Sequence, residues 1–191
     1  FKRGQTLFIA EVPSSTNIKL DLGKIYSSAD KYVQKFVIPS KKDIKNILLW
    51  RPSDISEIEV VTSQGGSWII LIKSATNVLK GDNFVFVYPE LLENKIIVSR
   101  GEVITSEIIG ENELDYKNIN LKIKTLLRKT RDKIKLKGSI VNEITTRGNF
   151  IDKIRNSFKM NQNIKYRLEV VSLRDSKTAD PIIVELNITK L

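Results

Sequence analysis

The pattern of apolar and polar positions predicts two kinds of element, strands of period two and helices of period 3.6. "QTLFIAEV", residues 5–12, reads as a strand, which Pro13 and "SST" end. Leu22, Ile25, Ala29, Tyr32, Val33 and Phe36 then recur at spacings of three and four, the stripe of a helix with one buried face. After Pro39, Ser40 and Asp43 form a capping-box-like pair, and Ile44, Ile47 and Leu48 predict a short second helix that Pro52 stops. "SEIEVVTS" (56–63) and "SWIILIKSAT" (67–76) are rich in β-branched residues. With "QGG" between them they predict a hairpin turning on Gly65 and Gly66. "NFVFVYP" and "NKIIVS" predict two further strands around an "ELLE" turn.

The same order begins again at "SRGEVITSEII", residues 99–109, which echoes "KRGQTLFIAEV" at residues 2–12. A polar connection, "GENELDY", leads to a long helix with Ile119, Ile123, Leu126, Leu127 and Ile134 on one side, ended by Gly138. Asn149 caps a further predicted helix carrying Phe150, Ile151, Ile154 and Phe158. "IKYRLEVVSL" (164–173) and "PIIVELNITK" (181–190) predict a closing strand pair. Two more matches keep their order, "EVVT" (59–62) with "EVVS" (169–172) and "IILIKSAT" (69–76) with "IIVELNIT" (182–189). Together they predict an α+β fold of two similar strand-helix-helix-hairpin halves, 1–83 and 84–191, in one domain with approximate internal two-fold symmetry. Mainly antiparallel or mixed sheet would be packed by amphipathic helices, and a groove between the halves would be the default ligand site by position.

Composition narrows the chemistry. The chain contains no Cys and no His, which removes disulfides, thiolate and imidazole metal sites, and the Ser-His-Asp and Cys-His triads together. Carboxylate metal sites and Lys or Tyr acid/base roles stay open, so the balance leans away from an enzyme, and no cofactor is predicted. No apolar run reaches the roughly 18 residues of a membrane span, which predicts a soluble fragment of a longer protein.

The net charge of +10 is uneven, because residues 1–98 hold 13 basic and 10 acidic side chains whereas residues 99–191 hold 19 and 12. Much of the excess lies in "KNINLKIKTLLRKTRDKIKLK", residues 117–137, with nine basic residues and a single acid, Asp132. Lys122, Lys124, Arg128, Lys129, Arg131, Lys133, Lys135 and Lys137 are therefore candidate anion-binding residues, for phosphates or an acidic lipid surface. A solvated face is the simpler reading, since no aromatic residue is interleaved to stack a base. Glu11, Glu59, Glu107 and Glu169 recur at matching places and are the one set that could hold Mg²⁺ if they converged. "TSQGGSW" lacks the helix start and the Lys of a phosphate cradle. Trp68 reads as core or sheet surface, and Trp50 as a helix-end anchor.

The order "FKRGQTLFIAEV", then "GSWIILIKSATNVLKGDNFVFVYPELLENKIIVSRGEVI", then a helix and a C-terminal hairpin resembles the C-terminal domain of a cyanobacterial family of uncharacterised coiled-coil proteins. "SATNVLKG" followed by "RGEVI" is the most specific part. The resemblance implies a membrane-anchored parent whose hydrophobic helices and coiled coil lie upstream of Phe1, with this domain on the periplasmic or lumenal side. It carries no catalytic residue. The expected function is a non-enzymatic binding or scaffolding domain, with a protein partner or self-association and no small-molecule substrate. The alternative is a nucleic-acid-associated domain with a nuclease-like or degenerate nuclease-like fold.

Overall fold

Both copies of the "RG" echo turn the chain in the same way. Gly4 and Gly101 sit at φ of 78° and 79°, in the left-handed region that glycine enters without a Cβ clash. Each donates its N–H to a serine carbonyl at 2.8 Å, Gly4 to Ser74 and Gly101 to Ser172. The N–H of the preceding arginine goes to a side-chain oxygen three residues beyond that serine, Arg3 to Asn77 at 2.9 Å and Arg100 to Asp175 at 2.7 Å. The computed structural model that shows these corners describes residues 1–12, 18–41, 44–110, 113, 116–147 and 164–191. It divides into two units, Phe1–Asn94 and Lys95–Leu191.

In the first unit, β1 (Thr6–Val12), α1 (Ile18–Val37), β2 (Leu48–Leu49), α2 (Pro52–Ser63), β3 (Trp68–Ser74) and β4 (Val85–Glu93) follow in order. The sheet order is β1-β3-β4-β2, with β3 antiparallel to both neighbours and β2 parallel to β4. Leu22, Ile25, Ala29, Val33 and Val37 of α1 pack over Leu7, Val12, Ile70, Ile72, Val85 and Val87 of the sheet, the stripe the spacing predicts. Tyr32 and Phe36, expected on that face, stand at its margin, where Tyr32 meets Phe8 and Phe36, and Phe36 meets Phe1. Asp30 is buried on the same helix. Its Oδ1 accepts the N–H groups of Ile47 and Leu48, both at 2.8 Å, which ties β2 to α1.

Two predicted elements in this unit are corrected. Residues 56–63 form the body of α2, not a strand, because Pro52 starts the helix there instead of ending one. Proline suits the first helical position, where its missing N–H is not needed. Asp54 at the third position accepts the N–H of Arg51 at 3.3 Å and its guanidinium at 2.9 Å, and Asp54, Ile58 and Thr62 form a buried stripe at spacing four. The helix expected on Ile44, Ile47 and Leu48 is not formed. Ile47 and Leu48 are fully buried, but Ile47 leads into β2 and Leu48 is its first residue. Gly65 and Gly66 consequently join helix to strand, and β4 runs straight through "ELLE" to Glu93.

In the second unit, β5 (Ile96–Val98), β6 (Val103–Ile109), α3 (Tyr116–Leu136), β7 (Ile144–Thr146), β8 (Tyr166–Ser172), β9 (Ser176–Lys177) and β10 (Ile182–Lys190) follow. Its four-stranded sheet has the order β6-β8-β10-β7, again with two antiparallel pairs and one parallel pair, and β5 pairs separately with β9. The two four-stranded sheets correspond strand for strand, whereas the β5–β9 pair has no counterpart among the described residues of the first unit. Even the irregularity is repeated, since β1 slips register between Thr6 and Phe8 against β3, and β6 between Val103 and Thr105 against β8. Ile119, Ile123, Leu126 and Ile134 of α3 pack over Ile104, Ile109, Leu168, Val170, Ile182 and Val184. The helix predicted from Asn149 lies outside the described residues, as do Pro13 and Asp43.

The fold is thus α+β, with mainly antiparallel and mixed sheet covered by amphipathic helices. Two of the three repeated sequence markers are not structural equivalents. "EVVT" lies in α2 whereas "EVVS" lies in β8, and "IILIKSAT" begins in β3 whereas "IIVELNIT" lies in β10, the counterpart of β4. Val60 of "EVVT" is exposed on α2, so that match is one of β-branched composition and not of position in the fold.

Candidate functional site

The basic helix α3 separates its cations by direction. Its buried stripe, Ile119, Ile123, Leu126, Thr130 and Ile134, faces the sheet. Beside that stripe, four lysines reach over β6, an outer strand of its sheet whose free edge would otherwise expose backbone carbonyls. Lys122 donates to the Ile108 carbonyl at 3.1 Å and pairs with Glu113 at 3.0 Å. Lys129 pairs with Glu107 at 2.7 Å, Lys133 donates to the Ile104 carbonyl at 2.6 Å, and Lys137 pairs with Glu102. These ammonium groups are engaged by their own unit.

Electrostatics follow from the same contacts. The hydrogen bond from Lys137, helped by the N–H of Ser99, holds the Glu102 carboxyl below the ordinary glutamate value. The Gly110 N–H and then Lys122 lower that of Glu113.

Lys124, Arg128, Arg131 and Lys135 lie on the opposite side, at successive spacings of four, three and four. All four are exposed, and none has an ion-pair or hydrogen-bond partner among the described residues. Lys117 is exposed on the same line two turns earlier. At 1.5 Å per residue, the row from Lys117 to Lys135 runs about 27 Å. The row lies on a single helix, and with no pairing among the described residues its charge is open to a partner. The division is readable in principle, since residues 122, 129 and 133 flank the apolar stripe on a helical wheel while 124, 128, 131 and 135 oppose it. What the sequence does not supply is the strand beside the helix, so nothing in it singles out Glu102 and Glu113 as partners.

The repeated glutamates have local roles. Glu11 Oε1 accepts from Asn94 at 2.9 Å and from the Ser67 hydroxyl at 3.2 Å, closing the end of β1 against the start of β3. Glu59 is on a helix, with Lys19 at 3.9 Å, while Glu107 is paired to Lys129 and Glu169 sits within β8. Among the described residues, no group of three or more acidic side chains is arranged to hold a metal ion. Gly65 accepts the Trp68 indole N–H at 2.8 Å, which seals the "QGG" turn onto the sheet. Trp50 packs edge-on against Tyr26, with ring centroids 5.4 Å apart, between α1 and the start of α2. No helix among the described residues is long and apolar enough to cross a membrane.

No family model, curated protein or solved structure matches the chain.

Proposed function

We propose that the chain is a non-enzymatic binding and scaffolding domain whose second unit docks, through the outer face of α3, on the anionic headgroups of a membrane surface. The observation that carries this is the sorting of the α3 cations. Those beside the sheet are paired within the unit, whereas Lys124, Arg128, Arg131 and Lys135 form an exposed row with no partner among the described residues. A row of cations along one helix suits a flat anionic surface, where each Lys or Arg near the headgroups contributes about 1 kcal/mol. Leu121, exposed beside the row, adds apolar contact of the kind an interfacial helix makes. The resemblance to membrane-tethered coiled-coil proteins supports the same role, with the domain held near the bilayer on its periplasmic or lumenal side.

The test compares the wild-type protein with Arg128→Glu/Arg131→Glu/Lys135→Glu in sedimentation with vesicles of about 30 mol% phosphatidylglycerol, a strongly anionic surface. Wild type should partition onto these vesicles, release as salt is raised, and ignore purely zwitterionic vesicles. The variant should keep its circular dichroism and bind at least about 100-fold more weakly, as three lost attractions at about 1 kcal/mol each require. Binding to DNA in preference to these vesicles at equal salt would transfer the row to the nucleic-acid alternative. Unchanged vesicle binding by the variant would refute the role of α3.

A further inference from the structure

The first unit contains a cleft of about 670 Å³ between α1, β2 and α2, within the size range of small-molecule sites. Its walls are mainly apolar, from Leu22, Tyr26, Leu48, Trp50 and Ile55, with Glu59 among them. Three independent features point to a ligand.

The first is Gly23. It lies inside the 20-residue helix α1, where glycine costs about 1 kcal/mol relative to alanine. Close packing does not require it, because a Cβ at this position would meet no atom within 4 Å. The missing side chain leaves open space on the cleft wall.

The second is a pair of unsatisfied polar atoms. The indole Nε1 of Trp50 and the carboxylate Oε1 of Glu59 are buried and have no hydrogen-bond partner among the described residues. Each such atom is costly, about 1–3 kcal/mol for a neutral group and more for a charged one. One is a donor and the other an acceptor, and both residues line this cleft, so a ligand group that both accepts and donates complements the pair. A hydroxyl is the smallest that does.

The third is room to move. Trp50 also borders a second cleft of about 610 Å³, shared with Phe86, Val87 and Tyr88, so its ring is a partition with space on both sides. The Glu59 side chain is 27% exposed, and among the described residues its carboxylate meets Lys19 alone, at 3.9 Å. Both polar atoms can therefore turn toward an entering molecule.

We propose that this cleft binds a small apolar molecule carrying a hydroxyl group, with the hydrocarbon body against Leu22, Tyr26 and Ile55 and the hydroxyl between Trp50 and Glu59. The proposal is independent of the α3 surface. Benzyl alcohol and toluene serve as probes of nearly equal shape, followed through the indole N–H resonances of the two tryptophans, with Trp50→Phe assigning the signals.

Benzyl alcohol should shift the Trp50 resonance saturably and bind about tenfold more tightly than toluene, the scale of one hydrogen bond in a buried site. Gly23→Leu should abolish the shift while leaving the melting temperature equal or higher, since leucine both fills the space and favours the helix. Glu59→Leu should bring the two probes within about twofold of each other. Absence of a saturable Trp50 shift, equal binding of toluene by the wild type, or undiminished binding by Gly23→Leu would each overturn the site.

Discussion

Asp30 shows how one buried carboxylate can replace a stretch of regular structure. β2 is only two residues long and has a strand on one side alone, yet its approach is buried. The N–H groups of Ile47 and Leu48 must find acceptors, and Asp30 supplies both while Gln34 donates to its other oxygen at 2.6 Å. Asp30→Ala would leave two buried donors unpaired and should lower stability by about 3 kcal/mol, read from the urea midpoint at constant m-value. Asp30→Asn, which retains one acceptor oxygen, should fall between the wild type and the alanine variant. Nearby Tyr26 donates to the Leu48 carbonyl. Burial, and then the charge of Asp30, raise its phenol above the ordinary value and preserve it as a donor. None of this is legible in the chain, where an aspartate one step from Ala29 reads as a solvated helix residue.

At the scale of elements, legibility depends on length. α1 and α3 span 20 and 21 residues, enough turns for the 3.6 period to be unmistakable. α2 has 12 residues and its buried stripe is only Asp54, Ile58 and Thr62, so "IEVV" within it suggests a strand. The proline before it reads as a stop although it marks the start. The four lysines over β6 are legible as charge but not as edge protection, because that function exists only once strand and helix are side by side. Their contribution should depend on pH. The Glu102 carboxyl is lowered by Lys137, so the stabilisation is present above the ordinary glutamate value and is lost as pH falls through the folded-state value. Thermal melts of wild type and Glu102→Gln should differ at about pH 7 by less than about 1 kcal/mol, as solvent screening dictates, and converge in acid. A gap that persists in acid would assign the effect to something other than this ion pair.

At the scale of the molecule, each unit has a separate core. Leu7, Ile25, Val33, Ile70 and Val87 are among the residues of one, and Ile104, Leu126, Leu168 and Val184 of the other. Residues 1–94 expressed alone should therefore unfold cooperatively in denaturant with native-like circular dichroism. A fragment that shows no unfolding transition would mean that the first core is insufficient. The opening echo is the reliable sign of repetition because it encodes a positive-φ turn and its partners, which few residues can satisfy. The later matches are only shared β-branched composition, since "EVVT" is helical and "EVVS" is in a strand.

The correspondence extends along the first helix of each unit. Leu22, Ala29, Val33 and Val37 are buried in α1 as Ile119, Leu126, Thr130 and Ile134 are in α3, each pair 97 positions apart. By that offset Phe8, Tyr32 and Phe36 stand where Thr105, Lys129 and Lys133 stand in the second unit. The same seam between helix and outer strand is written once in rings and once in charges. Ring contacts are indifferent to ionic strength, while exposed ion pairs are screened by it. One molecule thus carries two joints of common design with opposite sensitivities, a salt-proof seam in the first unit and a salt-responsive one in the second.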